Sequence, residues 1–417
     1  MVAAEKDLMM GNRPLSTPAN GSPSSDTLPA EPLVANAPVA RLRDLSGIAR
    51  DALAISPPLY VQSILGPLRT WIPPYRRFSE LSLLNPWRPL RTLKFLQNTW
   101  LPSLPMTPPT FNAPFLDDLF WQPTVILQRP DHYGSYTSFA DEHWFFINGI
   151  MTNDAVAQIN AALLAELFHR PITLIQNSTS SLLVDLFQCA LDKEGWKVTE
   201  PVTKAFPAIY DALKDPRKAR VVVIAHSQGT IIAAIVLALL QKLLEPEAPA
   251  TPEGVPQPAA APHAPPEFIY PAEGEIVLDE FEPLRLAELA KLELYCFATC
   301  ANVMTHSQPP GRDRPPVPYL EHFGNAQDIV ARLGMLAPRP ERWEIRIDGP
   351  RFARPGAWGH LLNEHYLYPI AEGQRHGRRR GGHGTASPFV AVNGSDLPAA
   401  TVPRLYHYIN GGVPKEA

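Results

Sequence analysis

Between His143 and Leu244 the apolar positions switch repeatedly between two periods. His143-Trp-Phe-Phe-Ile-Asn-Gly149 is a dense apolar run stopped by an Asn-Gly turn signal, and Ala155 to Phe168 then repeats apolar residues at helical spacing. That pattern predicts a strand, a turn and a helix. Residues 171–176 predict a second strand, Leu182 to Leu191 and Val202 to Leu213 two further helices, and Arg220 to Ala225 a third strand. The Val221-Val-Val-Ile-Ala225 run has no polar alternation, which suits a strand covered on both faces. Ile231 to Leu244 follows as a helix that is apolar nearly all round, hence buried. After residue 275 the alternation resumes, with strands at Lys291 to Thr299, Pro318 to Phe323 and Arg342 to Ile347, and a helix starting at Ile329 to Leu333. Repeated strand and helix units predict an α/β fold: a mostly parallel central sheet flanked by helices.

Proline marks where this framework stops. The 417 residues include 48 prolines, yet only four lie between 131 and 244. Proline removes a backbone donor and fixes φ, so this window is where long elements can run. Residues 1–40, rich in Pro, Ser, Ala and Asn, are expected as a disordered tail. Residues 41–130 are expected as a Pro/Trp-rich helical covering segment, and 131–417 as the α/β domain. Within that domain, 245–275 hold nine prolines and form an insertion, and 372–387, with Arg378-Arg-Arg380 among glycines and histidines, form a mobile basic loop.

Charge and cysteine content narrow the classes. A net charge of -4 and the lack of a repeated basic and aromatic motif exclude nucleic acid as the expected partner. Three cysteines without paired spacing predict neither a disulfide framework nor a Cys-built zinc site, and fit a reducing compartment. The first residues lack a basic start followed by an apolar run, and the longest apolar run, Ile231 to Leu240, is about half the roughly 20 residues of a spanning helix. The expectation is a cytoplasmic protein. Trp71, Trp87, Trp100 and Trp121 stand beside nine basic residues in 41–105, so peripheral membrane contact through 41–125 is a second reading. The first is short helices packed over the core, with tryptophans inward and arginines solvated.

The segment that carries chemistry is Val221-Val-Val-Ile-Ala-His-Ser-Gln-Gly-Thr-Ile-Ile-Ala-Ala234. A buried strand runs into a buried helix through Ser227. A serine on so tight a turn adopts a strained backbone, and the small Ala225 and Gly229 keep the neighbouring elements clear of it. The helix starting just beyond offers free N–H groups and its positive dipole end to an anion. Ser227 is therefore the candidate nucleophile, against the simpler role of a helix cap.

Ala225-His-Ser-Gln-Gly229 resembles the G-x-S-x-G nucleophile elbow of the α/β-hydrolase superfamily, with Ala for the first Gly. The likeness spans about residues 143–370 and is lipase-like. Tyr319 to Leu333 resembles the segment in class 3 lipases where a strand delivers an Asp followed by an apolar pair. The resemblance implies the chain order Ser, acid, His, and with it Asp328 as the acid, with Asp279 and Asp348 weaker. It implies His360 as the base, with His365 as the alternative, and an oxyanion hole from the backbone N–H groups of Gln228 and Ile150, the latter after Asn148-Gly149. No cofactor or metal is implied. The activity implied is cleavage of an apolar or lipidic carboxylic ester through an acyl-enzyme. The rival expectations are a non-catalytic hydrolase-like scaffold for protein or membrane binding, and an acyltransferase using the same triad.

Overall fold

The unbroken Val/Ile run becomes the centre of the molecule. The computed structural model describes residues 78–80, 125–129, 140–149, 154–176, 196–197, 200–245, 268–269, 276–307, 315–379, 387–392, 398 and 401–414. The expected tail, nearly all of the 41–130 segment, the helix expected at 182–191 and most of the 245–275 insertion lie outside them. Among the described residues no helix is long and apolar enough to cross a membrane.

Eight strands form the main sheet: β1 Val125–Arg129, β2 Glu142–Ile147, β3 Ile172–Gln176, β4 Arg220–His226, β5 Leu292–Phe297, β6 Tyr319–Asn325, β7 Arg351–Arg354 and β8 Val390–Ala391. Their order is β1-β3-β2-β4-β5-β6-β7-β8. Only the edge strands β1 and β8 pair antiparallel, and the six between them are parallel. The flanking helices are α1 Asp154–Phe168, α2 Glu200–Lys214, α3 Gly229–Lys242, the short α4 Leu286–Leu289 and α5 Ile329–Leu333, and α6 Tyr368–Arg379.

Successive side chains of a strand point to opposite faces, and both faces of β2 and β4 are covered. Phe145, Ile147, Val221, Val223 and Ala225 pack with Phe206 and Ile209 of α2 and Val236 and Leu240 of α3. Trp144, Phe146, Val222 and Ile224 pack on the other face with Leu164 and Phe168 of α1 and with Tyr406 and Tyr408 near the carboxyl end. Removing that apolar surface from water at roughly 25 cal/mol per Å² is the main force holding helices to sheet.

Two expectations need correction. Arg342 to Ile347 does not join the main sheet: Pro340–Trp343 is a 3-10 turn, and only Arg346–Ile347 is extended, paired with Val303–Met304 in a separate two-stranded ribbon. The next sheet strand is β7, Arg-Phe-Ala-Arg, in which Phe352 alone is fully buried, so its sequence carries no apolar run to betray it. The basic stretch expected as a loop from 372 is instead helical to Arg379, because α6 continues directly from a π-helical turn, Leu362–Leu367, anchored by buried Leu362, Tyr366, Leu367 and Ile370.

The amino ends of the central strands gather a charged network. Arg170 is fully buried, with Nε 2.9 Å from Glu142 Oε2, and Arg220 bridges Glu142 and Glu293 at 3.3 and 3.1 Å. Glu293 also takes hydrogen bonds from the Tyr295 and Tyr408 hydroxyls at 2.6 Å and from Arg404 at 2.9 Å. Nearby, Glu321 accepts from the Arg404 and Leu405 N–H groups and the Tyr319 hydroxyl. Burial nevertheless pushes Glu321 up to about 7 from its ordinary 4.5. A raised acid binds more protons when folded, so its stabilising contribution is present below the unfolded value and is lost as pH rises through about 7. Glu321→Gln is expected to flatten the fall in urea midpoint between about pH 5 and about pH 8.5. Parallel wild-type and variant curves would show that Glu321 stays ionised throughout.

Candidate active site

β4 ends at His226 and α3 begins at Gly229, which leaves two residues to turn the chain. Ser227 does so with φ +57°, in the left-handed region that a non-glycine residue enters only when its surroundings over-determine it. Those surroundings are specific. The Ser227 N–H donates to Phe297 O at 2.9 Å, and Ser227 O accepts from the Thr230 N–H and hydroxyl at 2.8 and 2.7 Å. The turn is also wedged by glycines. A Cβ on Gly229 would lie 2.4 Å from Ile147 O, and one on Gly149 would lie 2.5 Å from Ser227 Cβ and 3.1 Å from its Oγ. Ala225, still inside β4 between Ile147 and Cys296, keeps its methyl group in the core at 0% exposure.

The structure brings His360 and Asp328 to this serine. His360 Nε2 is 2.8 Å from Ser227 Oγ, and His360 Nδ1 is 2.8 Å from Asp328 Oδ2. Asp328 stands just past β6 at the amino end of α5, where its Oδ1 accepts the Val330 N–H at 2.9 Å. It therefore caps the helix with one oxygen and meets the imidazole with the other. Burial alone would raise the Asp328 carboxyl; the adjacent His360, the Tyr366 hydroxyl and the Val330 N–H outweigh it and hold Asp328 below its ordinary value. Burial likewise pushes His360 down, but the Asp328 charge and hydrogen bond outweigh it and hold the imidazole above its ordinary 6.5. With Asp328 ionised, neutral His360 carries its proton on Nδ1, leaving Nε2 free to accept from the serine hydroxyl.

The loop bearing His360 is fixed from several sides. Gly359 has φ +96°, and a Cβ there would come within 2.5 Å of the His365 ring. Asn325 Nδ2 donates to Gly359 O at 2.9 Å. His226, fully buried and pushed down to about 3 by burial, is neutral and donates from Nε2 to His360 O at 2.9 Å, with its ring 4.7 Å from the His360 ring. It packs beside the Ser227 turn and holds the loop bearing His360. His365 takes the Leu361 N–H on Nδ1 at 3.0 Å and lies against Trp358, so His360 is the imidazole that meets Ser227. Asp279 is exposed in a 3-10 turn, and Asp348 accepts the His306 N–H; neither hydrogen-bonds His360.

Gln228 occupies the position before the first turn of α3, where backbone N–H groups have no intrahelical acceptor. Asn148 is buried, with Nδ2 donating to Gly149 O, and Gly149 presses on Ser227; Ile150, the other expected oxyanion donor, lies outside the described residues. Among the described residues no three His, Cys, Asp or Glu side chains gather as a metal-binding group.

One contributor escaped the sequence reading. The Tyr366 hydroxyl donates to Asp328 Oδ2 at 2.6 Å while accepting the Asn325 N–H at 3.1 Å. Nothing in Glu-His-Tyr-Leu marks it, because its partners stand on another strand and the turn after it.

No family model matches the sequence, and no curated protein matches it. Among solved structures, a candidate esterase from Staphylococcus aureus is similar over 57% of this chain and 75% of its own, at 10% identity and a TM-score of 0.26. A likeness that loose carries no weight for the chemistry.

Since Gly149 leaves no room for a methyl group against Ser227, Gly149→Ala is expected to lose about 1–3 kcal/mol of stability, read as a lower urea midpoint. An unchanged midpoint would mean that the two turns are not in contact.

Proposed function

We propose that the protein is a serine hydrolase of the α/β-hydrolase type, lipase-like, that cleaves carboxylic esters. The observation that carries this reading is His360 lying 2.8 Å from both Ser227 Oγ and Asp328 Oδ2, in the order Ser, Asp, His along the chain. Each distance is within direct proton-transfer reach. The serine itself stands at a left-handed turn above a parallel sheet, as an elbow nucleophile does.

In the proposed reaction His360 Nε2 takes the Ser227 proton as Oγ bonds to the ester carbonyl carbon. The carbonyl π electrons move to oxygen, and the Gln228 and Ile150 N–H groups stabilise that oxyanion. Such a donor contributes about 3–4 kcal/mol to the transition state. Asp328, held by Tyr366 and Val330, balances the imidazolium. Collapse breaks the bond to the alkoxy oxygen, which leaves as the alcohol with the proton from His360. Water, deprotonated by the same imidazole, then releases the acid and restores Ser227. Every step uses protein groups and water alone.

The preference for an apolar or lipidic ester, and peripheral membrane contact, rest on the tryptophans and basic residues of 41–125 and are the finer parts of the proposal. Acyl transfer to another acceptor shares every step up to the acyl-enzyme and differs only in what enters afterwards. The non-catalytic scaffold reading offers no reason for a strained serine to meet an imidazole backed by a buried carboxylate.

A fluorophosphonate probe is expected to label Ser227 in the wild type and to label nothing in Ser227→Ala; a folded wild type that resists labelling would sink the reading. Asp328→Asn is expected to lower kcat on a p-nitrophenyl ester by about 10⁴-fold. Because activity needs neutral His360, and Asp328 raises its pKa, the acidic limb of kcat/KM should fall above pH 6.5, the ordinary imidazole value. A limb well below that value would show that Asp328 does not act on the base.

A further inference from the structure

The turn that follows His360 is held by a segment nearly 300 residues earlier in the chain. Residues Leu362–Leu367 form a π-helical turn whose own N-cap, Leu361, supplies no side-chain acceptor. The first N–H groups of such a turn need acceptors from elsewhere. Glu80 provides them: Oε1 accepts the Asn363 N–H at 2.7 Å, and Oε2 accepts the Glu364 N–H at 3.0 Å. Its neighbours reinforce the contact. Ser79 Oγ donates to Glu364 Oε2 at 2.7 Å, Asn363 Nδ2 donates to Phe78 O at 2.7 Å, and the Phe78 N–H donates to the Tyr368 hydroxyl at 2.9 Å. Ser79, Glu80 and Asn363 are all 0% exposed.

The clamped turn closely follows one group of the relay and carries another. His360 enters it two residues before Leu362, and Tyr366, within it, donates to Asp328 Oδ2. Burial pushes Glu80 up to about 7 from its ordinary 4.5, while the Asn363 and Glu364 N–H groups pull it back down. Its two oxygens face those N–H groups at the amino end of the turn, and in the ionised form they are strong, directional acceptors that also complement the dipole there. We propose that Glu80 is a positioning residue for the candidate base: an acid from the amino-terminal segment that caps the turn after His360 and thereby keeps His360 and Tyr366 in register with Ser227 and Asp328. This rests on the serine hydrolase reading above. It gives Phe78–Glu80 a role in supporting the site, whatever the rest of the 41–130 segment covers.

The test uses the full chain, with p-nitrophenyl butyrate hydrolysis and fluorophosphonate labelling of the wild type, Glu80→Ala, Glu80→Gln and Leu213→Ala. The last removes buried side-chain volume from α2, remote from the relay, and serves as a control for lost stability. Misplacing a catalytic group by about 1 Å costs up to about 100-fold, so Glu80→Ala is expected to lower kcat about 10- to 100-fold and slow labelling, with KM changed less than about two-fold. Glu80→Gln keeps the shape and one acceptor oxygen, and is expected to restore part of the loss while staying several-fold below wild type. Leu213→Ala, at equal or lower urea midpoint, is expected to keep wild-type kcat. A folded Glu80→Ala with wild-type kcat, or a loss no larger than that of Leu213→Ala, would overturn the proposal and leave Glu80 a structural cap. If Glu80→Ala does not fold, Glu80→Gln decides alone, and wild-type kcat there overturns it. A wild type that is neither labelled nor active removes the hydrolase reading and this proposal with it, whereas an active wild type with unaffected Glu80 variants removes this proposal alone.

Discussion

The geometry of the site depends on one steric constraint, the close approach of the ends of β2 and β4. Gly149 lies against Ser227, and Gly229 lies against Ile147 O, so no side chain larger than hydrogen fits at either position. That approach holds Ser227 in a left-handed conformation that its own preferences would not select. The strain is sustained because β4 is paired along its length on both sides, to β2 and to β5, and cannot slip. A strand paired on both sides therefore fixes a strained residue at its end.

Topology explains why the chain spends that strain here. From β2 the chain moves to β3 on one side and then returns across to β4 on the other. The boundary between β2 and β4 is where strand order reverses, and in open parallel sheets the loops diverge there to leave a crevice beyond the carboxyl ends of the strands. Ser227 stands at that boundary, Asp328 follows β6, and His360 follows β7. The opposite end of the sheet links Arg170, Arg220 and Arg404 to Glu142 and Glu293, each glutamate shared by two arginines. Each charge there meets an opposite charge already in place. At the carboxyl end, Asp328 instead acts on an imidazole whose Nε2 faces the serine.

Hydrogen bonds at that end converge on the loop bearing His360. His226 holds the His360 carbonyl, Asn325 holds the Gly359 carbonyl, and Glu80 caps the turn beyond. Most of these restraints are on backbone atoms, which leaves the His360 ring edge turned to Ser227. The Tyr366 hydroxyl holds Asp328 through its side chain instead, on the same Oδ2 that meets His360 Nδ1.

What could be read from the sequence was what short-range pattern encodes. The Val/Ile strand, the apolar helix after it and the small residues flanking Ser227 are contiguous, so the turn was legible as a turn and the parallel layered fold followed from the repeating units. Asp328 and His360 came into view only through chain order and family resemblance, because spacing says nothing about how near two loops lie. Strand β7 was hidden, since pairing to β6 makes Arg-Phe-Ala-Arg a strand and its own apolar content does not. Tyr366 and Glu80 were illegible for the same reason: an ordinary tyrosine and an ordinary glutamate gain their meaning from partners 38 and 283 residues away. Local periodicity and turn chemistry thus determined the central strands, the helices packed against them and the strained serine. Which acid, which imidazole and which distant carboxylate meet it was decided only when the sheet packed, because hydrogen bonds of about 3 Å select among side chains by position in space and not by separation along the chain.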